Sequence, residues 1–509
     1  MKRLLFVPVL FCVLSLGLSA EDIAVVASEE AERLDFTATV NAGYDGSSWM
    51  TKEEGRLEYN SGPFTLIADL YISNDQKYLP NEALLSSGTF LNNYFIMQEG
   101  ALSYTLGNLS LSGGRLRNYD IVDSPYSLFI NSLGHTSSGM NLRYETDHFI
   151  YQTKWIELNS RNAVSTPAWD KYHAYMNSGS LGMPDRGANY KIYALKYNDM
   201  RFGFLDAAVY TGRSFDAEYF LNPIPQYFIQ YVKGEHGRPW STDSNENDII
   251  GLFWDIKKPG LWDAYTQFLM DDFSMYAILG DKTVNNPWKA AWAMGGSLAT
   301  RYGTIGFHHG GALRYTFEPI TSERDSDGNH LKSDIARTAY GYSYYPETRY
   351  NENTGSDLRE IPIAENALGY KYGENNLAFQ VDYENKIRDF SLGAEFEYVL
   401  AGNNSPANPW SDYKRWELDG SKLFNDKQIE QRIELRLKAA RRFGPWLFSA
   451  ATGIGGRFNK LTLQKPDAES DWSVADTDIY IWKTSGENEL LISATLGASY
   501  TFGMLPFKK

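Results

Sequence analysis

Along most of this chain, hydrophobic residues take every second place rather than every third or fourth. In the last such stretch Leu490, Ile492, Ala494, Leu496, Ala498, Tyr500 and Phe502 alternate with Leu491, Ser493, Thr495, Gly497, Ser499 and Thr501. A period of two puts the sets on opposite faces of a β-strand, and a run of Ser, Thr and Gly is a poor helix former. Residues 377–384 repeat the pattern with Leu377, Phe379, Val381 and Tyr383, and 390–400 repeat it with Phe390, Leu392, Ala394, Phe396, Tyr398 and Leu400. The stretch IEQRIELRLKAARRFGPW, 429–446, is ambiguous by itself. At helical spacing Ile429, Ile433, Leu437 and Ala440 form a stripe. At strand spacing Ile429, Ile433, Leu435, Leu437 and Ala439 oppose a charged row of Glu430, Arg432, Glu434, Arg436 and Lys438. Its neighbours are strands, so it is read as a strand.

Further strands are expected at 35–43, 55–60, 64–73, 95–106, 107–113, 139–145, 148–157, 188–197, 200–210, 248–257, 261–270, 289–301, 303–315, 364–372 and 445–457. Tight links such as Asn198-Asp199, Lys258-Pro259-Gly260, Tyr302-Gly303 and Phe443-Gly444 carry residues that short hairpins favour. Between them come long polar segments at 158–187, 211–247, 271–288, 401–428 and 458–487. Short turns on one side and long loops on the other are the layout of an outer-membrane barrel. Alternating sidedness, counted back from a C-terminal strand that ends in the periplasm, fails after 364–372 unless one more strand lies within 316–363. ARTAYGYSYY, 336–345, is the candidate, and it brings the count to twenty; merging weak N-terminal pieces brings it to eighteen. The fold class is therefore all-β, a transmembrane antiparallel up-and-down barrel of even strand number, eighteen to twenty.

Composition sharpens this picture. The mean hydropathy of −0.41 and the lack of an eighteen-residue apolar run after the first twenty residues exclude membrane helices, yet aromatics make up 15% of the chain, with 35 Tyr and 13 Trp. A barrel reconciles the two, because only alternate residues meet lipid and Tyr and Trp form girdles at its interfaces. The charged row 430–438 then faces the interior, since Lys or Arg on the lipid side near the midplane costs about 2–4 kcal/mol. Residues 1–20 have the basic start, apolar run and small-residue end of a signal peptide, and 21–34 reads as a short periplasmic segment, helical in part, before a barrel over 35–503. Cys12 is the only cysteine, so the exported chain has no disulfide. A net charge of −15 argues against nucleic acid as a partner and suits an exposed cell surface. Outer-membrane lipid and the barrel assembly machinery are the expected partners, with Phe502 or Phe507 as the terminal aromatic.

Sugar sites combine aromatic faces with carboxylates or amides. Three loops offer such clusters: Trp169, Asp170 and Tyr172 with His173 and Tyr175; Trp240 with Asp243; and Trp410, Asp412, Tyr413 and Trp416. The same aromatics also suit an outer girdle or loop packing over the barrel mouth. Glu323, Asp325, Asp327, Gly328 and Asp334 have calcium-loop spacing but swapped end residues, so a solvated acidic loop is the simpler reading and no metal is assigned. The charged row mixes signs, which favours ion pairs that brace the lumen over a selectivity ring. No cofactor is expected, and no nucleophile elbow, zinc or phosphate-loop motif points to an enzyme. His308 and His309 are adjacent on a strand and point to opposite faces, so they cannot share a metal.

Three stretches resemble the capsule assembly Wzi family of outer-membrane barrels: LSGGRLRNYDIVDSPYSLFINSLG (111–134), FLNPIPQYFIQYVKGEHGRP (220–239) and NDIIGLFWDIKKPGLWDAYTQFLMDDF (247–273). The resemblance implies eighteen strands, an occluded barrel, and extracellular loops that hold surface polysaccharide. It carries over no individual sugar-binding residue. A porin for small solutes or sugars is the alternative.

Overall fold

The computed structural model describes residues 32–74, 87–90, 93–131, 136–160, 185–235, 237–241, 246–272, 288–317, 341–345, 349–351, 358–360, 363–402, 423–424, 429–464 and 481–504. Its barrel strands are β1 (Arg33–Tyr44), β2 (Trp49–Ser61), β3 (Phe64–Ser73), β4 (Asn93–Leu106), β5 (Leu109–Leu116), β6 (Ser137–Glu145), β7 (Phe149–Asn159), β8 (Arg186–Tyr197) and β9 (Met200–Thr211). They continue as β10 (Glu246–Lys258), β11 (Trp262–Asp272), β12 (Lys289–Thr300), β13 (Gly303–Ala312), β14 (Asn376–Ile387), β15 (Phe390–Gly402), β16 (Ile429–Phe443), β17 (Trp446–Phe458) and β18 (Glu489–Met504). Each strand pairs antiparallel with the next, and β18 returns to β1 with Phe36 opposite Phe502. The sheet is thus a closed barrel of eighteen strands, the outer-membrane form. Closure leaves no unpaired edge, which is why strands cross lipid only as a cylinder.

Alternation sorts the residues as expected. Leu195, Phe202, Leu252, Phe268, Met294, Phe307, Phe396, Leu435 and Leu496 lie exposed on the outer face, where lipid covers them. The ambiguous stretch 429–446 holds β16 and the start of β17, joined at Gly444-Pro445. Connections at one end are two or three residues long, such as Asn198-Asp199, where Asn198 takes a positive φ of 53° that its short polar side chain tolerates.

Among the described residues two expected strands are not formed. Residues 364–372 begin in a one-turn helix, α3 of the chain (Ile363–Asn366), and continue as turns. Residues 341–345 are bends with one isolated bridge, Ser343 to Ala367. The rest of the expected strand, 336–340, lies outside the described residues, as do 1–31, 158–187 in large part, Phe507 and the acidic loop 323–334. Removing these two strands, rather than merging N-terminal pieces, reduces the count from twenty to eighteen. All connections then alternate correctly, with 313–375 as a single long extracellular one. Two earlier helices, α1 (Ala217–Leu221) and α2 (Gln226–Lys233), belong to the connection from β9 to β10. Among the described residues no helix is long and apolar enough to cross a membrane.

Candidate functional site

Two extracellular connections turn inward and fill part of the lumen. The first follows β5. Its Ile121, Val122, Tyr126, Leu128, Phe129 and Ile130 are buried against inward residues of the wall, including Tyr190, Phe253 and Tyr265. A chain crossing the lumen has no strand partner, so its backbone groups need side-chain partners. Asp120 provides several: its Oδ2 accepts the N–H of Phe129 at 2.9 Å and of Ile130 at 3.2 Å, and its Oδ1 accepts the Tyr190 hydroxyl at 2.9 Å. Gln267 Nε2 donates to both oxygens at 3.1 Å, and Gln267 Oε1 accepts the Leu128 N–H at 2.9 Å. From the wall, Lys154 donates to the Tyr119 carbonyl and Arg201 to that of Ile121.

The second inward segment comprises 313–317, 341–345 and 363–375. Arg186 at the start of β8 is fully buried and donates to the carbonyls of Tyr344, Gly341 and Ser343 at 2.7, 2.9 and 3.0 Å. The segments join where Tyr342 donates to the Phe129 carbonyl at 2.7 Å and Asn131 to the Ala364 carbonyl at 2.8 Å. Both reach Glu397 on β15, whose Oε1 accepts Tyr126 at 3.0 Å, Lys371 at 2.9 Å and Tyr372 at 2.7 Å. On β13, Gly310 leaves room for the first segment, because a Cβ there would lie 2.9 Å from that of Tyr126.

The predicted charged row lies beside this assembly. Arg436 pairs with Glu434, Glu395 and Glu397; Arg432 pairs with Glu434, Lys438 with Glu395, and Glu430 with Arg457. Through Glu397, Arg436 is linked to the inward segments. His308 faces the lumen, bridging Asp382 at 2.9 Å and Tyr265 at 2.8 Å, and Tyr265 accepts Ser124 at 2.7 Å. His309 points the other way and stacks on Phe379 with centroids 4.5 Å apart. Among the described residues no group of three metal-ligating side chains converges.

Among the described residues, open space remains in the lumen beside β14 to β17. A cavity of about 520 Å³ beside the short-turn end is lined by Thr304, Glu384, Lys386, Ser391, Lys438 and Ser449. On the extracellular rim, the shortest connection, 45–48, is capped by Asp45, whose carboxyl is held down at about 2 by the N–H groups of Ser48 and Ser47.

Of the sugar-binding candidates, Trp240 is described and is exposed just beyond α2. Trp169, Asp170, Tyr172, Trp410, Asp412, Tyr413 and Trp416 lie outside the described residues, as do His173, Tyr175 and Asp243. Sequence reasoning passed over Asp120, Arg186, Gln267 and Glu397. The available signal was a dense apolar run, Tyr126 to Ile130, inside a connection that should be polar.

No protein-family model matches this sequence, and comparison with curated proteins finds no relative. Solved structures do match in shape. Wzi of Escherichia coli, described as a carbohydrate-binding β-barrel involved in group 1 capsule assembly, superposes with a TM-score of 0.50 at 10% identity, over 96% of this chain and 88% of that one. OccD3 (OpdP) of Pseudomonas aeruginosa gives 0.43 at 11% identity over 94% and 92%, and OprD of the same organism 0.42 at 8% over 94% and 96%. At such identities the likeness to Wzi establishes the fold, an outer-membrane barrel.

Proposed function

We propose that this outer-membrane barrel binds or anchors surface polysaccharide through its extracellular connections, in the manner of Wzi-type capsule assembly proteins, and catalyses no reaction. The observation that carries the reading is the pair of inward segments tied across the lumen at Asp120, Arg186 and Glu397. A barrel occupied in this way works as a rigid platform for its loops, and loops on a rigid scaffold are where binding residues gather. The description of Wzi as a carbohydrate-binding barrel supports the same choice. The candidate contacts are Trp169, Asp170, Tyr172, Trp240, Trp410, Asp412, Tyr413 and Trp416, aromatic faces for pyranose rings beside carboxylates for hydroxyls.

The test is binding to a panel of surface polysaccharides by the purified protein in detergent, together with planar-bilayer recordings. Retention of at least one polysaccharide, weakened about tenfold or more when Trp240, Trp410 and Trp416 are changed to Ala, is expected, with negligible conductance. The second reading, a porin-like channel, is favoured by the open cavity with its mixed lining of Glu384, Lys386 and Lys438. Discrete open-channel steps without polysaccharide binding would replace the first reading with the second.

A further inference from the structure

The connection from β9 to β10 does not stand clear of the barrel; it folds back along the outside of the wall. The parity of the strands establishes the side. Leu195 and Tyr197 on β8, Phe202 on β9, and Leu252 and Trp254 on β10 are exposed on the outer face, so Lys191, Asp206 and Asp248 point outward as well. Lys191 and Asp206 are direct cross-strand partners, and Asp248 lies opposite Ala208. At about 3.3 Å per residue and a tilt of about 40°, Lys191 sits roughly 15 Å above the periplasmic end of β8, within an apolar band of about 25 Å. A bare Lys at such a place is disfavoured, yet Lys191 and Asp206 are fully buried.

Residues 213–233 cover them. Lys191 Nζ donates to the carbonyls of Asn222 at 2.6 Å and Ile224 at 2.9 Å, and the Gln226 N–H donates to Asp206. Trp155 donates to the Ser214 carbonyl at 2.6 Å, Thr153 to that of Phe220 at 2.9 Å, and Tyr193 to that of Pro223 at 2.8 Å, all from outward positions. A small apolar cluster of Ala208, Tyr210, Tyr219 and Ile229 lies beneath, separate from the lumenal core. Gly187 makes the approach possible, since a Cβ there would lie 2.1 Å from the Ser214 carbonyl oxygen.

The far side of this strap is apolar. Leu221, Ile224, Tyr227, Phe228, Tyr231 and Val232 are exposed, from 49% at Ile224 and Tyr227 to 71% at Tyr231. From Tyr219 to Val232 the sequence YFLNPIPQYFIQYV has no charged residue; the side chains of Gln226 and Gln230 turn toward the wall, and that of Asn222 accepts the Ile224 N–H within the segment. Lys233 closes the run folded back on Asp216 at 2.9 Å. An exposed apolar surface of this kind in water is rare. Here it continues the lipid-facing belt of the strands below it.

We infer that residues 213–233 are a membrane strap: the outward face of α1 and α2 contacts acyl chains of the outer leaflet, while the inward face seals Lys191, Asp206 and Asp248 from lipid. The occupant of the exposed face is lipid rather than a second copy of the chain, because from Tyr219 to Val232 the face carries no charge, and the charge at its edge, Glu218, is paired with Lys233 at 3.3 Å.

Nitroxide labels placed at Phe228→Cys and, separately, Tyr231→Cys in a Cys12→Ser chain reconstituted in phosphatidylcholine vesicles test this. Power saturation should show collisions with oxygen several-fold above those with nickel-EDTA-diacetate, matching a Leu252→Cys control on the lipid belt. Preference for the nickel reagent, as at a Ser241→Cys control, would place the strap in water and overturn the proposal. Low access to both reagents would mean a protein partner, which overturns it equally. Tyr231, the more exposed of the two, keeps the test valid if Phe228→Cys disturbs packing, and heat-modifiable migration on a gel confirms each barrel is folded.

Discussion

At Asp120 one carboxylate takes donations from two backbone N–H groups, a tyrosine hydroxyl and a glutamine amide, all within the lumen. Removing it strands several buried donors, each costing about 1–3 kcal/mol. The strands do not depend on it, because their ladders close independently. Asp120→Ala is therefore expected to leave a barrel that still migrates heat-modifiably on a gel while channel openings absent from the parent protein appear in bilayer recordings. Unchanged conductance would show that Glu397 and Arg186 hold the inward segments without it. The charged row shows what was legible at this scale. Glu430, Arg432, Glu434, Arg436 and Lys438 were readable as one face of a strand from alternation alone. Their partners Glu395, Glu397 and Arg457 were not, because pairing depends on which strands are neighbours and in what register.

Elements whose two faces meet different surroundings declare themselves in sequence; elements surrounded by protein do not. Tyr342, Tyr344 and Tyr345 resemble a strand on paper, but Gly341 to Tyr345 are all buried between the wall and the other inward segment. Apolar residues there reflect enclosure, with no lipid side and no pairing edge. Leu368 to Lys371 were misread for the same reason. Arg186 is the tie that holds 341–345, so Arg186→Ala should loosen that segment with little effect on the strands. Limited chymotrypsin digestion of the folded protein in detergent should then cut at Tyr342, Tyr344 or Tyr345, sites the parent protein protects. Equal resistance in both would assign the hold to Tyr342 and to Asn366, whose side chain bonds both the N–H and the carbonyl of Tyr345.

For the whole molecule, eighteen strands closed by the pairing of β18 with β1 give a cylinder with a greasy exterior and an interior that is charged along β15 to β17 and filled by an apolar cluster where the inward segments cross it. Such a chain should need detergent to remain dispersed. Its circular dichroism should be dominated by strand, and its unboiled form should run faster on a gel than the boiled one. Recovery of a detergent-free monomer rich in helix would contradict the architecture.

The order of residues alone was enough to establish that the chain alternates, crosses a membrane with strands and turns tightly on one side, because each strand meets lipid on one face and a polar interior on the other. It also narrowed the strand number to a range. Tertiary structure decided the number itself, the filling of the lumen and the burial of Lys191, Asp206 and Asp248 on the outer wall. Those features come from long connections folding onto surfaces far away in sequence. Contacts of that kind leave no period for a sequence to display, and an outward Lys191 reads as inward until the strap that covers it is in place.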